Sequence, residues 1–284
     1  MINQMTIAEV KVLETAGVRA RFESTSLHRV RAIALNTFRE SVRDRVLYNL
    51  ILFVLILVAA SVFVSDLSFD VESQFTGALG LSEMLVFGAL IAIFIGVGLV
   101  YKEIEKRTIY NLLSKPVHRH EFLIGKYLGL SMTLLVNSVV MVAGTELALL
   151  YVNRGVAIIE LAVLPAAYLI FLELALLVAI ATMFSSFTTP MLSALFSFAA
   201  YVIGHFSGDL RQAAQLSDSV VVRSVLTALY YLLPNLSNFG FIAEASHGRV
   251  LSLSMALRAT VYAALYIVIL LSASALIFQR RNFK

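Results

Sequence analysis

The 284-residue sequence contains no cysteine and little charge: Asp, Glu, Lys and Arg make up 14% of it, where an average globular chain is about a quarter charged. Without cysteine there are no disulfides, thiolate metal sites or cysteine nucleophiles. With so few charges there is too little polar material to cover a water-facing surface, which excludes a soluble enzyme. What fills the chain instead is apolar: 60% of the residues are hydrophobic and the mean hydropathy is +0.87. The formal net charge of +4 is too small a surplus to indicate nucleic-acid binding.

Chemical motifs are also missing. The phosphate-cradling pattern G-x-x-x-x-G-K-[ST] fails at Gly125-Lys126, which is followed by Tyr127 and preceded five residues back by His120, so the chain is not expected to hydrolyse ATP itself. The zinc-protease pattern H-E-x-x-H begins at His120 and Glu121 but reaches Ile124 where the second histidine is needed. His118, His120 and Glu121 are therefore expected to be solvated loop residues, and no metal site is assigned. No G-x-S-G turn supports an intramembrane serine protease, and His205 falls near the end of an apolar segment.

A hydrocarbon core about 30 Å thick requires about 20 apolar residues per helix. Six segments meet or approach that: 46–64, 83–101, 127–151, 161–184, 189–206 and 259–278. The expectation is an all-α integral membrane protein with three parts: an N-terminal extension over 1–26, an amphipathic helix over 27–45 and a six-span domain over 46–284. The 65–82 stretch, with three acids and no base, is expected to be an external loop. Residues 1–45 carry eight bases and five acids and lack the apolar core of a cleavable signal. Lys and Arg divide 17 to 5 between the two faces that six spans define, which places both termini in the cytoplasm.

Three segments outside the spans have patterns of their own. In LHRVRAIALNTFRESVRDRV, Val30, Ile33, Ala34, Phe38 and Val42 recur at helical spacing, while Arg31, Asn36, Arg39, Glu40 and Arg43 fall elsewhere on the wheel. This predicts an interfacial helix at the headgroup level, with Arg31, Phe38, Arg39 and Arg43 as its contact residues. The 102–126 loop, with Ile109, Leu112 and Leu113 among six bases and a break at Pro116, predicts helix, sharp turn and helix. An apolar centre with a polar rim suits a protein interface better than a plain connector. The 207–258 stretch is long for a connection; residues 220–233 are apolar but too short to cross, so they are expected to lie along the outer interface or to re-enter, followed by a short helix over 239–245.

Two carboxylates fall inside predicted spans, Glu146 at about 8 Å and Glu173 at about 18 Å below the outer surface. Each should face the protein interior or a wet cavity, as an element of a translocation path or proton relay or as a protonated packing residue. Gly125-x-x-x-Gly129 permits close helix approach. The two halves show no matching broken spans, which disfavours a secondary transporter.

The stretches IALNTFRESVRDRVLYNLILF and EIEKRTIYNLLSKPVHRHEFLIGKYLG together resemble the permease subunits of ABC exporters of the type-2, six-helix class. The second carries the class pattern in Glu103 to Thr108, Leu112 to Val117 and Gly125 to Gly129, with Arg107 in place of a glycine and His118 in place of a serine or arginine. LLPNLSNF before the last span resembles the external re-entrant helices of the class.

The resemblance implies a dimeric exporter permease in the inner (plasma) membrane, paired with a second copy or a homologous permease. Two copies of a separate cytoplasmic ATPase, which bind ATP and Mg, would each accept a coupling helix between spans two and three. This chain would bind no cofactor, and its contacts would be with lipid and protein rather than nucleic acid. The implied coupling residues are Ile109, Leu112 and Leu113 as apolar anchor, with Glu103, Glu105, Arg107, Lys115 and Arg119 as rim and Pro116 as the break. The competing expectation is a standalone proton-coupled carrier or a non-transporting assembly factor.

Overall fold

The computed structural model describes residues 26–44, 52–53, 56, 69–105, 119–152 and 162–280. These form α1 (Ser26–Asp44), α2 (Phe69–Glu105), α3 (Arg119–Val152), α4 (Val163–Ser185), α5 (Pro190–His205), α6 (Ser207–Leu216), α7 (Val220–Leu232), a 3-10 turn (Leu236–Phe239), α8 (Ile242–Ser246) and α9 (Leu253–Arg280). No strand occurs among the described residues. Most of the predicted 46–64 span lies outside them, as does the 1–25 extension.

Four of these helices contain stretches long and apolar enough to cross a membrane: Ser73–Gly98, His120–Val152, Val163–Ser185 and Leu253–Ile277. The number becomes six if each of two bent pairs counts as one span: Pro190–His205 with Ser207–Leu216, bent by 69°, and Val220–Leu232 with Leu236–Ser246, bent by 46°.

Two expected boundaries shift in the structure, and the fifth segment falls close to its expected place. The 65–82 stretch is not simply a loop, because α2 begins at Phe69. Asp70 and Glu72 fall in its first turn, where the helix dipole favours negative charge, so acidity there marks a helix start. The fifth segment, expected over 189–206, corresponds to α5, 16 residues or about 24 Å long, and the chain bends by 69° into α6 after it. The last helix starts at Leu253, ahead of the expected 259.

The core is α4. Every residue from Glu173 to Thr182 is buried, and 72% of its apolar window lies inside the protein, against 11% for that of α9. A helix apolar all round belongs in the middle of a bundle, and α2, α3, α5 and α9 pack around this one. Small residues set the spacing on α2: a Cβ at Gly96 would lie 2.6 Å from Ala181 Cβ and 3.3 Å from the Val178 carbonyl oxygen. Contact this close is a common device for helices that associate in lipid, where apolar burial offers no advantage over acyl chains.

Polar side chains cross-link the bundle. Ser185 Oγ donates to the Val97 carbonyl at 2.8 Å, Tyr127 Oη to the Ala175 carbonyl at 3.1 Å and Ser193 Oγ to the Ala181 carbonyl at 3.3 Å, while the Tyr168 and Thr260 hydroxyls share a bond of 2.8 Å. The outward faces are apolar, with Met132, Leu135, Val139 and Leu147 on α3 and Val261, Leu265, Val268 and Leu276 on α9 all exposed. A surface of this kind is stable against acyl chains and not against water.

Candidate coupling surface and buried polar groups

The helix expected over 27–45 corresponds to α1; of its expected stripe Ala34 is buried and Val30, Ile33 and Phe38 are half-buried, with Thr37 buried beside them. That stripe faces α3 rather than an open headgroup layer. Arg31 and Arg39 are exposed on the other side, together with Leu27 and Leu35, which leaves a mixed apolar and basic outer face. Arg43 is in the last turn of α1.

Two glycines admit α1 to this position. A Cβ on Gly125 would stand 2.8 Å from Ile33 Cβ and 2.9 Å from the Val30 carbonyl oxygen. One on Gly129 would stand 2.5 Å from the Ala34 carbonyl oxygen and 2.7 Å from Thr37 Cβ. The G-x-x-x-G spacing seen in the sequence is therefore a helix-packing surface, one turn apart on α3 and facing α1. Lys126, between them, is buried with its Nζ 5.3 Å from the centre of the Phe122 ring.

An ion pair closes the same interface. Arg29 Nε donates to Glu121 Oε2 at 3.0 Å and Arg29 Nη2 to Glu121 Oε1 at 2.8 Å. The hydrogen bond to Glu121, with its negative charge, holds the Arg29 guanidinium above its ordinary range against the opposing effect of burial. Glu121 is 2% exposed, in the first turn of α3 where the dipole also favours it. It is therefore not the solvated loop residue expected from the failed zinc pattern. His120 beside it is exposed, and no cluster of three metal-ligating side chains occurs among the described residues.

Of the predicted coupling residues, Glu103 and Glu105 lie in the last turn of α2 and Arg119 opens α3. Arg107, Ile109, Leu112, Leu113, Lys115 and Pro116 lie outside the described residues, and so does His118. The loop thus leaves from α2 and enters α3 immediately before Glu121.

The two predicted intramembrane carboxylates have different surroundings. Glu146 on α3 is half-buried. Glu173 is 1% exposed at the centre of α4, and its Oε1 lies 3.4 Å from His205 Nε2 at the end of α5. His205 Nδ1 is 3.3 Å from the Tyr201 carbonyl oxygen, and its ring lies 4.7 Å from that of Tyr201. His205 is thus a titratable neighbour of Glu173 without a hydrogen bond to its Oε1, and the contact sits at the 69° break after α5.

A third carboxylate was not singled out by its sequence context. Glu83 on α2 is 7% exposed, and neither of its oxygens has a hydrogen-bond partner. Thr76, two turns earlier on the same face, is equally buried with its hydroxyl unpaired. The missed signal was Thr76, Gly80 and Glu83 at i, i+4 and i+7, which becomes legible once the helix is known to start at Phe69.

The helical bundle, its apolar exterior and its sparse buried polar groups define a multi-pass membrane protein. Residues 31–283 match the ABC-2 family transporter protein family, so the chain belongs to that family of transporter membrane subunits. Among curated proteins no relative matches the chain.

Proposed function

We propose that this chain is the permease subunit of an ATP-driven exporter, with six spans, both termini in the cytoplasm and a home in the inner (plasma) membrane. It pairs with a second permease copy, and each copy engages a separate cytoplasmic ATPase through residues 102–126. ATP and Mg would bind on that partner. The six spans would be the 46–64 segment, α2, α3, α4, α5 and α9, with α6 to α8 forming the external, re-entrant part. The lysine and arginine distribution supports this orientation.

The observation that carries the reading is the junction below the bundle. The loop that would meet the ATPase precedes α3, whose first turn is fastened to α1 by the Arg29 and Glu121 fork and whose next two turns are fastened by the seats at Gly125 and Gly129. A push on the loop would thus reach α3 and α1 together. An apolar anchor of Ile109, Leu112 and Leu113 would supply affinity, and the charged rim would select the ATPase.

The test is a pull-down of the co-expressed ATPase. Leu112→Asp, or the pair Arg107→Glu and Arg119→Glu, should release it while the permease remains inserted and folded. Unchanged association would reduce the loop to a connector and remove the coupling claim.

A further inference from the structure

The hairpin of α6 and α7 has no role in the coupling scheme, and its surface is unusual for this molecule. α7 packs against α6 and has no buried residue. Val220, Val221, Val225 and Leu232 are all more than half exposed. Between the two helices is a cleft lined by Arg211, Ala214, Gln215, Arg223, Thr227 and Tyr230. The Arg211 guanidinium carbon lies 5.6 Å from the centre of the Tyr230 ring, and Arg223 Nη2 donates to the Ser217 carbonyl at 2.9 Å.

These contacts orient both guanidinium groups without neutralising them. Asp209 and Asp218 are on the same hairpin, yet among the described residues no carboxylate pairs with Arg211 or Arg223. Stacking on an aromatic face leaves the N–H edge of a guanidinium free, and that edge matches two oxygens of a phosphate. An uncovered apolar helix in a membrane protein lies at the lipid interface, and tyrosines such as Tyr230 and Tyr231 concentrate at headgroup level. Phosphodiesters are the anions concentrated at that depth, which favours lipid over a second protein as the occupant.

We propose that the α6 and α7 cleft binds the phosphodiester headgroup of an anionic phospholipid, with Arg211 and Arg223 as its ligands and the valine face of α7 against the acyl chains. The proposal rests on the membrane placement of the chain and not on ATPase coupling. Two basic side chains at a bilayer surface should give a preference of about tenfold for an anionic over a zwitterionic headgroup.

The experiment uses the full chain in nanodiscs of equal phosphatidylglycerol and phosphatidylcholine, with retained lipid counted by native mass spectrometry and located by a photo-crosslinking phosphatidylglycerol. Expected are enrichment of phosphatidylglycerol, crosslinks within 207–232, and loss of both in R211Q/R223Q but not in the control R249Q/R258Q. Equal retention of the two lipids by the unmodified protein would overturn the proposal without recourse to any variant. So would enrichment that survives R211Q/R223Q, displacement by millimolar inorganic phosphate, or crosslinks from α7 to a second copy in place of lipid.

Discussion

Arg29 and Glu121, 92 positions apart in the chain, meet as a two-bonded fork that ties α1 to the first turn of α3. The carboxylate is the buried member, so its loss and that of the arginine are not equivalent. Removing Arg29 takes a charged partner from the more deeply buried carboxylate, whereas Glu121→Gln keeps an acceptor and leaves the arginine closer to water. Arg29→Met should therefore lower the unfolding temperature in detergent more than Glu121→Gln. Equal losses, or none, would show the fork to be ornamental.

The glycine seats predict a steric series. Gly129→Leu should destabilise most, because the obstructing atom is the Ala34 backbone carbonyl at 2.5 Å, and backbone cannot rotate away. Overpacking of this kind costs about 1–3 kcal/mol. Gly144→Ala should be mild, since its Cβ would meet only an edge of the Phe53 ring at 3.2 Å. Thermal unfolding, with crosslinking of cysteine pairs placed across α1 and α3 in this naturally cysteine-free chain, measures both.

Glu83 offers a test of whether an unpaired carboxyl is kept for function. With neither oxygen bonded, replacement by an apolar group of similar volume should be neutral or stabilising, by up to about 1–3 kcal/mol. Glu83→Met is expected to raise the unfolding temperature and to reduce transport in proteoliposomes. A stabilised variant with full transport would assign Glu83 to packing alone.

At the α4 and α5 contact, Glu173→Gln should insert and fold normally, since it removes a buried ionisable group but keeps the shape facing His205. Transport should fall more than protein yield does. His205→Leu should cost yield as well, because it strips the imidazole that stands 3.4 Å from a carboxyl that is 1% exposed. Equal transport by Glu173→Gln and the unmodified protein would end any role for the pair beyond structure.

On the far side, Tyr262 Oη accepts the Asn235 backbone N–H at 2.7 Å and so holds the 3-10 turn to α9. Tyr262→Phe orphans that N–H, a loss of about 1–3 kcal/mol. Faster hydrogen exchange at 233–240, with the rest of the bundle unchanged, is the expected signature.

Much of the bundle was legible in the sequence because a bilayer demands long apolar runs: α3 and α4 lie close to where hydropathy places them, and the face of α1 is as its periodicity predicts. Less visible was anything set by distance along the chain or by register. Hydropathy stops at the first acidic residues and so cut α2 short at 83, hiding Glu83 inside a helix. Periodicity described α1 as amphipathic but could not distinguish a protein neighbour from a lipid surface, which the seats on Gly125 and Gly129 decide. The neighbour of Glu173 was hidden too, since His205 reads as a terminal residue until the bend after α5 turns it toward α4.

That bend has a consequence for the surrounding bilayer. In the proposed six-span arrangement α5 crosses with only 16 residues, about 6 Å short of the hydrocarbon thickness, and a mismatch of this size is relieved by lipid crowding inward or by solvent seeping toward the helix end. The membrane beside His205 should thus be locally pinched, so that a polar cargo passing there would face a narrower barrier than beside the longer α2, α3 and α9.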